Sequence, residues 1–136
     1  MPVEPVFFDS NVICYLFGAD HAKADRADAL LETGGHISVH VLAEVTNVAR
    51  GKARLSWDAI NDITDTVTRL CSVHDLDLHV HKRARVIAQN HGYTIYDAQI
   101  IAAALIAGCQ ILWSEDMQHG QIFESRLQIK NPFAGL

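Results

Sequence analysis

One segment of this chain is apolar on almost every side. Residues 98–107 read Ala-Gln-Ile-Ile-Ala-Ala-Ala-Leu-Ile-Ala, and Gly108 follows as a helix terminator. A helix at a protein surface keeps a polar face, whereas one that is apolar nearly all round must be buried between layers. The segment therefore requires packed structure on more than one side of it.

Short apolar runs alternate with amphipathic segments along the rest of the chain. Val6–Phe8 predicts a strand that stops at Asp9-Ser10-Asn11, which can cap a helix extending to about Phe17. A second helix is predicted over about 22–31, broken by Gly34-Gly35 ahead of a strand at 36–39.

The second half of the chain continues this alternation. Further helices are predicted from Val41 to Gly51, after the Ser56 cap to Leu70, and from Leu76 to Gly92. Strands are predicted near 71–73, at 111–113 and, as a last edge strand, at 127–129. Strands that alternate with helices indicate a three-layer α/β/α fold with a central, mainly parallel sheet.

Composition favours a single domain that stays in the cytoplasm. The 136 residues are 49% hydrophobic, which suits one core over residues 1–136. Residues 1–5 lack the basic start and apolar run of a secretion signal, and no stretch approaches the roughly 18 apolar residues of a membrane span. Cys14, Cys71 and Cys109 form no C-x-x-C motif, so we expect reduced thiols that act as small core residues.

The net charge of −5 argues against a protein that coats nucleic acid by bulk electrostatics. Basic residues nevertheless cluster in two short segments, where they could contact phosphates or a protein partner, or simply lie on solvated helix faces. These candidates for phosphate or protein contact are Arg50, Lys52, Arg54, Lys82, Arg83 and Arg85.

Acidic residues occur where the predicted strands end. Asp9 follows the first strand directly and Asp116 follows the 111–113 strand within a few residues. Loops at the carboxyl ends of parallel strands meet at one edge of the sheet, so these two carboxylates should lie there together. Asp97 begins the buried helix, and Glu44 lies on a helix beside its apolar stripe. Taken singly, each residue is more commonly a helix cap, a turn former or a surface group.

Such a set of carboxylates indicates a particular chemistry. Carboxylates held within a few ångströms repel one another, so they must bind protons or cations. Mg²⁺ and Mn²⁺ prefer oxygen ligands and keep several waters, which leaves room for phosphate oxygens. A bound ion also lowers the pKa of its water and stabilises charge on a phosphodiester. The set therefore predicts a metal-dependent nuclease.

Four stretches of the chain, in order and spacing, resemble the successive motifs of the PIN-domain family, and the resemblance covers nearly the whole sequence. The four stretches are Val6-Phe7-Phe8-Asp9-Ser10-Asn11, Leu42-Ala43-Glu44-Val45, Tyr96-Asp97-Ala98 and Ser114-Glu115-Asp116-Met117-Gln118-His119-Gly120. Within that family the chain is most similar to the ribonuclease toxins of VapBC-type toxin–antitoxin pairs.

The resemblance implies a role for each matching position. The acidic metal-binding and catalytic set would be Asp9, Glu44, Asp97 and Asp116. Ser114 would be the hydroxyl residue that supports this site, and Asn11 a polar residue that steadies the first carboxylate. His119 occupies a place where many relatives carry another acidic or polar residue, which leaves open whether a second metal ion binds firmly.

The resemblance also implies an activity and partners. It implies a Mg²⁺- or Mn²⁺-dependent endoribonuclease that hydrolyses RNA with metal-activated water, the toxin of a type II toxin–antitoxin system. A cognate antitoxin that covers the active-site groove, and a homodimer, are implied in the same way. Transfer, ribosomal and messenger RNA are all compatible substrates, because grooves and loop shape determine that choice.

Four other functional interpretations compete with that of a metal-dependent ribonuclease. His79 and His81 form an H-x-H pair, but no third partner stands at a recognisable metal-site spacing. A phosphoacceptor role for Asp9 is weakened because Asn11 stands where dehalogenase-like phosphatases carry a second Asp. A catalytically inactive PIN-like domain that binds protein or RNA would be expected to lose at least one of the four acids. A DNA nuclease would use the same chemistry.

Overall fold

Within residues 5–136, the part of the chain that the computed structural model describes, six short strands form one sheet. Neighbouring strands are parallel except for the antiparallel pair β5 and β6, and the order across the sheet is β3-β2-β1-β4-β6-β5. The strands are β1 (Val6–Phe8), β2 (Gly35–Ser38), β3 (Cys71–His74), β4 (Ile111–Trp113), β5 (Ile122–Phe123) and β6 (Leu127–Lys130).

Helices connect the strands and cover the sheet, which gives the expected three-layer α/β/α architecture. Each α-helix begins at an Asp, Ser or Thr whose side chain accepts a hydrogen bond from a backbone N–H of the first turn. The helices are α1 (Ser10–Cys14, followed by a 3-10 turn at Tyr15–Phe17), α2 (His21–Glu32), α3 (Val39–Gly51), α4 (Trp57–Leu70), α5 (Leu78–His91) and α6 (Ile95–Ile106).

Helix α6 is the apolar segment that constrains the fold, and it is buried as expected. Ala98 and every residue from Ile100 to Leu105 are buried. The helix packs along α5 and contacts β2, so apolar neighbours surround most of its circumference. This placement fixes the position of Asp97, which lies in the first turn of α6.

The register of the sheet brings two distant segments together. Phe8 of β1 pairs with Trp113 of β4, so the two strands end at the same level. The N–H of Asp9 then donates to the carbonyl oxygen of Trp113 at 3.0 Å, and the N–H of Ser114 donates to that of Lys130 at 3.0 Å. The residues that follow β1 and β4 therefore lie side by side at the carboxyl edge.

Several sequence predictions need correction. Val39 begins α3 instead of ending β2, because Ser38 caps the helix one residue earlier. Leu76 lies outside α5, since Asp77 is the cap of that helix. Cys14 is only partly buried, in contrast with Cys71 and Cys109.

The last strand is also placed differently. Strand β6 matches the predicted segment at 127–129, but it is interior and not an edge strand, because β5 covers its free side. Strand β5 contains two residues, too few for an alternating pattern to reveal.

Two expectations concern the chain ends and membranes. The expectation of no secretion signal rests largely on residues 1–4, which lie outside the described residues. Between Pro5 and Leu136, no helix combines the length and apolarity that crossing a membrane requires.

Gly35 provides a test of the packing behind the site. A Cβ at this position would lie 2.6 Å from Cε2 of the fully buried Phe8 and 3.0 Å from Cγ2 of Val6. We predict that Gly35→Ala lowers the free energy of unfolding by about 1–3 kcal/mol, because a filled core accommodates an added methyl group only by displacing its neighbours. Urea denaturation followed by circular dichroism measures this change.

Gly51→Ala is the matched control. Among residues 5–136, and apart from its chain neighbours and the backbone of its own helix, no atom lies within 4 Å of a Cβ built on Gly51, at the end of α3. This substitution should leave stability unchanged or raise it by up to about 1 kcal/mol. Equal effects of the two substitutions would show that contact with Phe8 does not determine the choice of glycine at position 35.

Candidate active site at the carboxyl edge of the sheet

Asp9 is a buried carboxylate at the junction of β1 and α1. Its side chain is held from several directions while the residue is only 3% exposed. Oδ1 accepts a hydrogen bond from the N–H of Ser10 at 2.7 Å. Oδ2 accepts from Ser114 Oγ at 2.8 Å and from Asn11 Nδ2 at 3.0 Å. The carboxylate is therefore fixed in orientation before any ligand binds.

The pKa of Asp9 is raised from its usual 3.8 to about 6. Burial is the main cause, and the hydrogen bonds from Ser114 and Ser10 oppose it. The negative charges of Glu44 and Asp97 raise the pKa further. Among the described residues, no Lys or Arg side chain donates a hydrogen bond to Asp9. Its charge is thus held by neutral donors and not neutralised.

Ser10 and Asn11, the first two residues of α1, connect Asp9 to other acids. Ser10 Oγ lies 3.0 Å from Glu44 Oε1 and 3.3 Å from Asp9 Oδ1. Asn11 Nδ2 donates to Asp116 Oδ2 at 3.2 Å as well as to Asp9. One turn of helix therefore joins three of the four predicted acidic residues.

Asp97 completes the group from the opposite side. It is half-buried in the first turn of α6, where its N–H donates to the Thr94 cap at 3.2 Å. Burial raises the pKa of Asp97, the charge of Asp116 raises it further, and His40 opposes both. Asp9 thus lies within electrostatic range of Glu44 and Asp97, and Asp97 within range of Asp116, although the four acids come from separate parts of the chain.

Ser114 lies against the Asp9 carboxylate. Its side chain is fully buried, donates to Asp9 and accepts the N–H of Met117 at 3.2 Å. His119 is different, because its ring is exposed and Nδ1 accepts the N–H of Asn131 at 2.9 Å. His119 therefore anchors the segment after β6 and is not hydrogen-bonded to the four acids.

The donor set suits a hard divalent cation. Four carboxylates, with a hydroxyl and an amide beside them, provide the oxygen ligands that Mg²⁺ and Mn²⁺ prefer. Across residues 5–136, no three His, Cys, Asp or Glu side chains converge closely enough to hold an ion in their present positions. Binding an ion here would therefore require the acidic side chains to move, and exposed Asp116 and half-buried Glu44 have more freedom to do so than buried Asp9.

Sequence reasoning missed three residues of this region. Ser10 and His40 contact Glu44 directly. Glu115 binds Lys23 at 2.6 Å and also accepts a hydrogen bond from the Tyr15 hydroxyl. The spacing of His40 and Glu44, four residues apart on α3, was a visible signal. The Lys23–Glu115 pair spans 92 positions and has no local signature.

A cavity of about 480 Å³ opens beside the acids. Ser10, Asn11 and Asp116 belong to both the acidic group and the cavity wall. The rest of the lining consists of aromatic and apolar residues, Gly18 and two charged side chains, Lys52 and Glu115. A ligand in this cavity would therefore contact Asp116, together with Ser10 and Asn11, at one end.

The first basic segment is divided between two uses. Lys52 lines the cavity, and the neighbouring Arg54 is exposed. Arg50 lies 5.3 Å from the ring centre of Trp57 and donates to the carbonyl oxygen of Leu55 at 3.1 Å. Of this segment, Lys52 is the residue whose position best suits a ligand bound at the acids.

The second basic segment lies on α5. Lys82 and Arg85 are exposed there, while Arg83 forms an ion pair with Glu124 next to β5. None of the three lines the cavity beside the acids. Any contact that they make with RNA or protein would be away from the acidic group.

Comparison with known proteins identifies the family. The PIN domain family matches residues 6–122, which include the four acids. The chain belongs to the PIN-domain family. No curated protein has a significantly similar sequence.

Solved structures share this PIN fold at low sequence identity. The VapC20 toxin of Mycobacterium tuberculosis, described as cleaving the sarcin-ricin loop, is 20% identical with a TM-score of 0.67, over 82% of this chain and 91% of that one. A toxin–antitoxin complex from Klebsiella pneumoniae is 18% identical to this chain with a TM-score of 0.70, and the match covers 94% of this chain and 98% of that one. DNA-bound VapBC from Salmonella typhimurium is 15% identical with a TM-score of 0.70, and the match covers 96% of this chain and 99% of that one.

The raised pKa of Asp9 predicts how stability depends on pH. The folded protein holds this proton more tightly than the unfolded chain does, so in metal-free protein the contribution of Asp9 to stability is lost as pH rises from 3.8 to about 6. A divalent ion needs the ionised form. At pH 7.5, a Mg²⁺ concentration of 100 times the dissociation constant should raise the free energy of unfolding by about 2.7 kcal/mol.

The same Mg²⁺ concentration should raise the melting temperature much less at pH 5 than at pH 7.5, because Asp9 is then mostly protonated. Differential scanning calorimetry at both pH values, with Asp9→Asn for comparison, measures this. A Mg²⁺-induced shift of the same size at both values, or in Asp9→Asn, would mean that the ion does not depend on this carboxylate.

Asn11 provides a test of the hydrogen bonds around the acids. We predict that Asn11→Ala weakens Mn²⁺ binding about 10- to 100-fold, because Asp9 and Asp116 both lose a donor that fixes their orientation. Isothermal titration calorimetry gives the affinity. Asn61→Ala, an exposed position on α4, should leave the affinity unchanged. Similar losses in the two variants would contradict a positioning role for Asn11.

Proposed function

We propose that this chain is a cytoplasmic Mg²⁺- or Mn²⁺-dependent endoribonuclease, the toxin component of a type II toxin–antitoxin system. The observation that carries the proposal is the buried, unneutralised Asp9, joined through Ser10 and Asn11 to Glu44 and Asp116 in a PIN fold. We propose further that residues 1–136 form one nuclease domain.

Asp9, Glu44, Asp97 and Asp116 would hold the metal, each through carboxylate oxygens. When bound, the ion supplies an activated water and shields the charge that builds on the scissile phosphate. Hydrogen bonds from Ser114 and Asn11 hold the Asp9 carboxylate in one orientation. This carboxylate therefore need not reorient during the reaction.

The cavity beside the acids offers a place for the substrate. Lys52 presents a cation at its wall, and in residues 5–136 no carboxylate lies within ion-pair distance of its ammonium group. A phosphate that flanks the scissile bond would neutralise this charge. Phe17 and Tyr15 line the same cavity, and aromatic rings stack on the unstacked bases of single-stranded RNA.

An antitoxin and a homodimer complete the proposal. The support for an antitoxin is that the chain shares its fold with structures described as a toxin–antitoxin complex and as VapBC. The homodimer follows from the resemblance to the VapC-type toxins. An antitoxin segment laid along the cavity would prevent RNA from reaching the acids.

RNA cleavage by the purified, partner-free protein tests the proposal. Total cellular RNA incubated with Mg²⁺ or Mn²⁺ should be cut at discrete positions, and EDTA should abolish cutting. Asp9→Asn should reduce the rate at least about 100-fold, more than the 10- to 100-fold that changes outside the metal ligands cause. Gel electrophoresis and sequencing of fragment ends provide the readout.

Asp28→Asn is the matched control, since it removes one exposed carboxylate of α2. It should cut RNA like the unchanged protein. Cutting that persists in EDTA or in Asp9→Asn would overturn the metal-dependent mechanism. Absence of cutting on RNA, together with intact metal binding, would favour the competing interpretation of a PIN-like domain that only binds protein or RNA.

A further inference from the structure

His40 brings a nitrogen atom into the acidic group. It occupies the second position of α3, one turn before Glu44, and its side chain is 13% exposed. Its ring is parallel to that of Tyr96, with 6.0 Å between centres and 6° between planes. Tyr96 directly precedes Asp97, so the stacking holds the imidazole near the first turn of α6, while the ring also contacts Glu44.

The Nε2 atom of His40 is buried and has no hydrogen-bond partner among residues 5–136. It lies 3.4 Å from Glu44 Oε1, but the angles are unsuitable for a hydrogen bond. A buried polar atom without a partner has lost its hydration without gaining a hydrogen bond in return, which destabilises the folded state. Native structures therefore rarely leave such an atom unsatisfied unless a water, an ion or another ligand completes it.

The distance of 3.4 Å between His40 Nε2 and Glu44 Oε1 is close to that between two ligands of one ion. Adjacent ligands of an octahedral ion with bonds of about 2.1 Å are roughly 3.0 Å apart. The two atoms therefore need to move only slightly to share an ion. In the tautomer that leaves Nε2 without a proton, its lone pair and the Glu44 oxygen repel each other, and a cation between the two atoms removes the repulsion.

We propose that His40 is an additional ligand of the metal site, which binds its ion through a mixed set of carboxylate oxygens and one imidazole nitrogen. The inference rests on the proposed metal-dependent function, because it concerns the same ion. Imidazole nitrogen favours transition-metal ions, whereas oxygen-only sites suit Mg²⁺. The site should therefore prefer Mn²⁺ over Mg²⁺ more strongly than its carboxylates alone would.

Pulsed electron paramagnetic resonance of the Mn²⁺-loaded protein tests this ligand directly. Coordinated imidazole nitrogen couples to the electron spin of Mn²⁺, and a carboxylate-only site gives no such signal. We expect the nitrogen coupling in the unchanged protein and its loss in His40→Gln. His79→Gln, which changes an exposed histidine of α5, should retain the signal. Absence of nitrogen coupling in the unchanged protein would overturn the proposal.

Ion preference provides a second measurement that does not depend on RNA cleavage. Calorimetric titrations with Mn²⁺ and with Mg²⁺ give the ratio of the two dissociation constants. In His40→Gln, Mn²⁺ binding should weaken at least about fivefold, while Mg²⁺ binding changes less than about twofold. Equal weakening for both ions would show that His40 only supports the shape of the site, and would reject it as a ligand.

The outcomes separate this inference from the proposed nuclease function. If the protein cleaves RNA but its bound Mn²⁺ shows no nitrogen coupling, His40 is not a ligand and the proposed nuclease function still holds. Nitrogen coupling that His40→Gln removes, in a protein that cuts no RNA, would support the ligand and reject the nuclease. A protein that binds neither ion would overturn both.

Discussion

The buried carboxylate of Asp9 is the constraint on which the rest of the site depends. Burial disfavours its charge, yet three side chains donate to it or lie within hydrogen-bond distance, and all of them are polar and uncharged. Those donors come from α1 and from the residue after β4, so the register of β1 with β4 determines whether they meet. The sheet therefore holds an ionisable group in surroundings that a bound cation would stabilise, and this dependence links fold to function.

Much of the fold and the acidic set could be predicted because their signals are local. Phe7 and Phe8 mark a strand and Asp9 its end, and the apolar run that follows Asp97 marks a helix that must be buried. In a parallel sheet the carboxyl ends of the strands share one edge, which predicts that Asp9 and Asp116 lie at that edge but does not give the register that brings their neighbours into contact. Membership of the PIN family and the three-layer architecture agree with this reasoning.

The rest depended on tertiary contacts that no local pattern encodes. Ser10 reads as an ordinary first-turn residue, and its hydroxyl meets Glu44 only after α3 packs on α1. Strand β5 is defined by pairing with β6 and contains too few residues for periodicity. Boundary errors at Val39 and Leu76 arose where a capping side chain, one residue away, outweighed the apolar character of the residue itself.

Glu115 and Asp116 are neighbours in sequence with opposite electrostatic surroundings. Burial raises the pKa of Glu115, but its hydrogen bonds with Lys23 and Tyr15 outweigh that effect and lower the pKa overall. Asp116 faces the Asn11 amide instead, which leaves its charge uncompensated. The Lys23 ammonium is thus bound by the acid outside the group of four. The pair also ties helix α2 to the loop after β4, in which Glu115 lies between Ser114 and Asp116. A cationic side chain among the four carboxylates would compete with a divalent ion. Because Lys23 binds Glu115 instead, its ammonium group does not compete there.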